Sequence, residues 1–156
     1  MGNRTGNKMD IMTDNVADSA IKFGTGRYCQ GREVLERCGQ EIRRFGKKAY
    51  IIAVPRAFAA VKDRLLPGLT EAGLEYVTEI YDGVCSYEAA EMLGKKCLDT
   101  GCDEVVGIGG GVIMDLSKAA AASAGLGVVN IPTSIATCVA FTAMSVMYTP
   151  QGAIEG

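Results

Sequence analysis

The stretch Glu104–Asp115, E-V-V-G-I-G-G-G-V-I-M-D, constrains this chain more than any other. Val105, Val106 and Ile108 form a short β-branched apolar run, the pattern of a strand buried on both faces of a parallel sheet. Gly109, Gly110 and Gly111 follow at once. Val112, Ile113, Leu116, Ala119 and Ala120 then recur at helical spacing, with Asp115 and Lys118 between them. A buried strand therefore turns through glycines into a helix. Glycine lets backbone N–H groups approach a ligand with no Cβ in the way, and a helix start adds unpaired donors and the positive end of a dipole. Such a turn either holds an anion, most often a phosphate, or is a tight connection that binds nothing.

The rest of the chain repeats this rhythm. Met1 to about Ser19 is polar and aperiodic and reads as a mobile leader, so the domain proper is expected to span 21–156. Lys22–Gly31 reads as an irregular edge strand. Over Arg32–Phe45, Val34, Leu35, Cys38, Ile42 and Phe45 share one helical face, and Gly46 stands where a C-cap glycine belongs. Ala49–Val54 reads as a buried strand. Phe58, Val61, Leu65 and Leu69 mark a helix that Pro67 should kink or divide and Gly73 should end. Leu74–Tyr81 alternates as an edge strand does. Ser86 can cap a helix to Asp99 with Ala89, Leu93 and Cys97 inside and Gly101 closing it. Gly127–Ile131 reads as another short buried strand. Ser145–Thr149 followed by Pro150–Gln151–Gly152 implies a hairpin. The fold expected is α/β: a Rossmann-like parallel sheet flanked by helices, with a C-terminal β-hairpin.

Open parallel sheets bind ligands beyond the carboxyl ends of their strands. Three such ends are visible: Val54–Pro55–Arg56, Gly109–Gly111 and Pro132–Thr133–Ser134. The hydroxyls of Thr133, Ser134 and Thr137 either bond a phosphate or ribose or cap a helix. Asp115 either faces the ligand or pairs with Lys118, three residues on; Lys118 itself either approaches a pyrophosphate or is solvated. Arg56 stands where NAD-selective folds carry a carboxylate for the ribose 2′-OH. It meets a 2′-phosphate or is a surface charge.

Composition excludes several classes. The 156 residues carry a net charge of -2 with mixed signs, which argues against nucleic-acid or membrane-surface partners. No apolar run is long enough to span a bilayer, and no secretory leader is legible. Histidine is absent, so no Ser–His–Asp or Cys–His site can be built. The six cysteines show neither C-x-x-C nor zinc-type spacing and read mostly as small buried hydrophobes in a reducing cytoplasm.

Three motifs in combination carry a resemblance. Gly107–Ala121 (G-I-G-G-G-V-I-M-D-L-S-K-A-A-A), Asn130–Thr137 (N-I-P-T-S-I-A-T) and Ser145–Gly152 (S-V-M-Y-T-P-Q-G) resemble the iron-containing alcohol dehydrogenase superfamily, and within it the glycerol dehydrogenase branch. Tyr28–Gly31 and Asp82–Glu88 fit the same pattern. The resemblance implies an N-terminal dinucleotide-binding domain, of the type shared with dehydroquinate synthase, followed by an all-helical domain. It implies that the triple-glycine turn holds the cofactor pyrophosphate. Cofactor contacts would fall at Gly109, Gly110, Gly111, Val112, Asp115, Thr133, Ala136, Thr142, Met144 and Tyr148. The cofactor would be NAD, with NADP open. Hydride would pass between an alcohol or polyol and the nicotinamide, a zinc or iron ion activating the alcohol oxygen. The assembly would be a homo-oligomer.

Three departures from that pattern matter. The family's metal ligands, an aspartate and histidines, belong to the helical domain beyond Gly156, so this chain alone is expected to be inactive. Cys138 stands where glycerol dehydrogenases carry a substrate-contacting aspartate, which puts glycerol itself in question. Val112 replaces a common lysine or serine. The alternatives are a nucleotide-binding or assembly module without catalysis, and a glycerol-1-phosphate dehydrogenase. The latter should show a basic cluster that Cys138–Thr142 lacks.

Overall fold

In the computed structural model, residues 19–23, 26–134, 136, 138–149 and 151–155 are described. Residues 1–18 of the expected leader and Thr137 lie outside them. The described residues fall into two compact units, divided between Val34 and Leu35. In the first, β1 (Ser19–Phe23) pairs antiparallel with β2 (Gly26–Gln30), Ser19 opposite Gln30 and Phe23 opposite Gly26. The irregular edge strand expected over Lys22–Gly31 is therefore two strands in regular register.

The second unit is built on β3 (Lys48–Ala53), β4 (Glu75–Ile80), β5 (Glu104–Gly109) and β6 (Gly127–Pro132), all parallel, in the order β4-β3-β5-β6. Helices α2 (Pro55–Glu71), α3 (Tyr87–Asp99) and α4 (Gly111–Ala124) connect successive strands, and α1 (Val34–Ile42) precedes β3. A short antiparallel pair, β7 (Met147–Tyr148) with β8 (Ile154–Glu155), closes the chain and supplies the expected hairpin.

Every residue of β5 is buried, as its apolar run requires. Side chains alternate along the inner strands and feed two cores. Tyr50, Ile52 and Val105 pack with Leu93 of α3 and Leu116 of α4. Ile51, Val106 and Ile108 pack with Leu65 and Leu69 of α2 and Ile42 of α1. The strand β6, expected to be buried, is half-exposed, with Val128 at 37%. It ends the described sheet order, so its outer side has no neighbouring strand among the described residues.

Pro67 does not divide α2, which runs unbroken for 17 residues. Its ring is exposed, so water can satisfy the carbonyl that its missing N–H leaves free. Helix α1 stops at Ile42, and Phe45 is 55% exposed rather than part of the buried face. Nor does Gly46 adopt the left-handed conformation of a C-cap. It is small for a different reason: a Cβ there would overlap the carboxylate of Asp103, which accepts N–H bonds from Lys47 and Lys48 at 2.8 Å each.

Where α1 crosses α2, Gly39 and Gly68 bring two backbones together. A Cβ on Gly68 would overlap the Glu36 carbonyl oxygen, and a Cβ on Gly39 the Gly68 carbonyl oxygen. Backbone cannot rotate away as a side chain can. Gly68→Ala is thus expected to destabilise the fold by about 1–3 kcal/mol, read as a lower urea midpoint. An unchanged midpoint would show that the helices do not meet there.

Candidate functional site

The strand order reverses direction at the β3–β5 pair: the chain leaves β3 toward β4 on one side, then crosses to β5 and continues to β6 on the other. In open α/β sheets the crevice outside the carboxyl ends of such a strand pair is where ligands bind. Two helices begin there, α2 after β3 and α4 after β5.

Neither helix start is capped by a side chain: the N-cap residues are Val54 and Gly110. By contrast, α3 is capped by the Ser86 hydroxyl, which accepts the Ala89 N–H at 3.2 Å. In α4 the first intrahelical bond runs from Met114 N–H to Gly110 C=O at 3.1 Å. The N–H groups of Gly111, Val112 and Ile113 precede that bond and are the donors a helix start offers to an anion.

The glycines of the turn divide their labour. A Cβ on Gly109 would come within 3.0 Å of Ile113 Cβ, so this glycine admits the helix onto the strand and does not open the turn outward. A Cβ on Gly110 would meet nothing within 4 Å, and the residue's φ of -90° suits any side chain. Neither packing nor conformation requires glycine at 110, and the space beside it is open. Val112, on the first turn of α4, is 46% exposed.

The end of β6 is tied to this turn, since Thr133 N–H donates to Gly109 C=O at 3.0 Å. Thr133, Ser134, Ala136 and Cys138 are exposed. The Ser134 hydroxyl accepts Ala136 N–H at 3.4 Å, a local turn contact rather than a helix cap. Tyr148 is half-buried and its N–H donates to Cys85 C=O at 2.7 Å, which joins β7 to the segment before α3.

Asp115 and Lys118 form a buried ion pair at 3.0 Å, their side chains only 7% and 10% exposed. Lys118 is therefore not a solvated lysine. Its ammonium also donates to the carbonyls of Val139 and Thr142 at 3.1 Å each, and to that of Met144. The Ser145 hydroxyl donates to the Asp115 carbonyl at 3.0 Å. Of the expected contact positions, Thr142 is half-buried in this arrangement while Met144 is 78% exposed.

The sequence signal for this hub was a lone Asp–Lys pair in a helix otherwise apolar on most sides. Arg56 is exposed at the start of α2. Three cysteines are buried, two half-buried and Cys138 exposed. Burial pushes the Cys85 thiol up to about 11, with Asp115 adding to the shift, and the Cys97 thiol up to about 12. Both stay protonated and unreactive at neutral pH.

Among the described residues no three metal-ligating side chains converge, and no helix is long and apolar enough to cross a membrane. The site these residues can build is an anion cradle flanked by an exposed hydroxyl- and sulfur-bearing segment.

The fold recurs in solved structures. Among them is glycerol dehydrogenase from Schizosaccharomyces pombe, at TM-score 0.75 and 26% identity over 89% of this chain and 36% of that one. A probable glycerol dehydrogenase from Sinorhizobium meliloti 1021 matches at TM-score 0.69 and 27% identity, over 79% and 33%. The glycerol dehydrogenase of Thermotoga maritima is 34% identical over 81% of this chain and 34% of its own length. That of Pseudomonas putida is 30% identical over 88% and 38%. The chain thus spans little more than a third of the relatives it matches. The family model for iron-containing alcohol dehydrogenase matches residues 25–155, and with the glycine turn at the switch point and these relatives in place, the chain belongs to the iron-containing alcohol dehydrogenase family.

Proposed function

We propose that this chain supplies the nicotinamide-dinucleotide-binding part of an alcohol or polyol oxidoreductase. The observation that carries the reading is the open space at Gly110, set at the switch point of the sheet in front of an uncapped helix start. The N–H groups of Gly111, Val112 and Ile113 bind the diphosphate, and the dipole of α4 favours its charge. Gly109 seats the helix close enough for this. Thr133, Ala136, Thr142, Met144 and Tyr148 line the remainder of the cofactor, and Asp115 supports them from behind through Lys118.

Once bound, the nicotinamide would exchange a hydride with an alcohol carbon. The protein's part is to hold the ring in place and exclude water. The described residues do not bring three metal ligands together. Cys138 is exposed on the loop after β6 and offers a thiol where a polyol hydroxyl would prefer a carboxylate, which argues against glycerol itself as the substrate. The six free cysteines favour a cytoplasmic setting, and the exposed apolar side chains Phe141, Met144 and Val146 favour a homo-oligomer or further covering chain.

Titration with NADH, followed by nicotinamide fluorescence and competed by ADP-ribose, tests the reading. Saturable binding displaced by ADP-ribose is expected, and its absence would remove the dinucleotide. Arg56 refines it. With an exposed guanidinium at the start of α2, Arg56→Asp is expected to move the NADH-to-NADPH affinity ratio about tenfold toward NADH. A constant ratio would leave Arg56 as a solvated charge.

A further inference from the structure

Lys118 stands out as a charged group that packing alone does not explain. Its side chain is 10% exposed. Burying an ammonium costs several kcal/mol unless its donors are all satisfied. Here they are over-provided. Three N–H groups face the Asp115 carboxylate and the carbonyls of Val139, Thr142 and Met144.

The three carbonyls come from a segment without strand or helix. Within it, Phe141 N–H closes a turn onto Cys138 C=O at 2.9 Å, and the Thr142 hydroxyl reaches toward Val139 and Met144 only at 3.5 Å. From α4 come the ammonium and the Asp115 carbonyl, which accepts from Ser145. The turn is wrapped around one cation, and that cation sits two turns along the helix whose start carries the glycine turn.

We propose that Lys118 is a positioning residue: its ammonium, held by Asp115, sets the path of residues 138–145 and thereby the cofactor-facing position of Thr142 and Met144. This rests on the dinucleotide reading given above. Two parts of one site, the diphosphate cradle and the loop beyond β6, are on this account registered to each other by a single helix. The loop is held through backbone carbonyls, so its side chains can differ without loss of the anchor.

The test uses Lys118→Met and, because a lone buried Asp115 charge can prevent folding, Asp115→Leu/Lys118→Met, which removes both charges at near-constant volume. Folding is checked by a cooperative thermal transition. In a folded variant, amide hydrogen exchange over 138–146 is expected to speed up at least tenfold, with exchange in β5 and α4 little changed. NADH affinity is expected to fall at least tenfold more than ADP affinity, since ADP needs the cradle and not the loop.

Unaltered exchange in 138–146 would overturn the anchor. Equal losses for NADH and ADP, or none for either, would overturn the positioning role and leave Lys118 as a stabilising contact. If the natural chain binds no NADH, the dinucleotide reading fails on its own, and the exchange result alone decides whether Lys118 sets the loop.

Discussion

Gly110→Leu is expected to fold much as the natural chain does and to lose at least about a hundredfold in NADH affinity, close to 3 kcal/mol. The two halves of that expectation have separate physical grounds. A Cβ at 110 meets no atom within 4 Å, and the backbone angles there, φ -90° and ψ -166°, are extended and open to any residue. The cost to folding is that of a poorer N-cap, up to about 1 kcal/mol. The cost to binding is larger. A branched side chain would occupy the volume through which, on the proposed reading, the diphosphate reaches the N–H groups of Gly111, Val112 and Ile113, and no rotation of the ligand restores those bonds. Gly110→Asn separates the two effects, because asparagine is a good N-cap and still fills the space. Both variants should lose affinity. Affinity retained in both would move the phosphate elsewhere.

The second expectation concerns Glu104, the first residue of β5. It is fully buried, and neither carboxylate oxygen has a hydrogen-bond partner among the described residues. Burial pushes its carboxyl up to about 7, the neighbouring Asp103 adds to the shift, and Arg43 opposes it. The folded state thus holds a proton that the unfolded chain releases near 4.5. Where the folded state binds more protons, stability falls as pH rises. The contribution is complete below about pH 4.5, is lost between there and about 7, and is constant above.

The size of that loss is about 3 kcal/mol. Glu104→Gln carries no charge at any pH. It should therefore gain on the natural chain by about that amount between pH 4.5 and pH 8, seen in parallel urea titrations. The window is clean because the chain has no histidine. The carboxyls of Glu36, Glu88 and Asp103 are held below their ordinary values, so their effects fall at lower pH and have the opposite sign. A difference between the two chains that is flat across the window would show that water or a cation reaches Glu104.

Much of the scaffold is readable in the residues themselves. The β-branched runs of β3 and β5, the alternation of β4, the Ser86 cap and the glycines closing α2 and α3 are local patterns, and each appears where its pattern puts it. Legibility fails where a residue answers to something far along the chain. Gly46 looks like a helix cap, yet it makes room for Asp103. A run such as Gly127–Ile131 shows that it is apolar but not whether a strand lies on both sides. Pro67 looks like a break, but α2 carries it on its exposed face. The glycine turn was legible as a possible anion site; that Gly109 serves packing while Gly110 faces open space was not.

Taken by itself, the order of residues determined the alternation of strand and helix, the class of sheet and the presence of a glycine turn before α4, because periodicity and capping act over a few neighbouring residues. Only the tertiary structure decided that this turn lies at the switch point, that Lys118 is enclosed by carbonyls of residues 139–144, and that the Glu104 carboxylate has no hydrogen-bond partner among the described residues. Those outcomes depend on which groups distant in the chain become neighbours, and on whether water is excluded between them. Both are properties of the packed molecule.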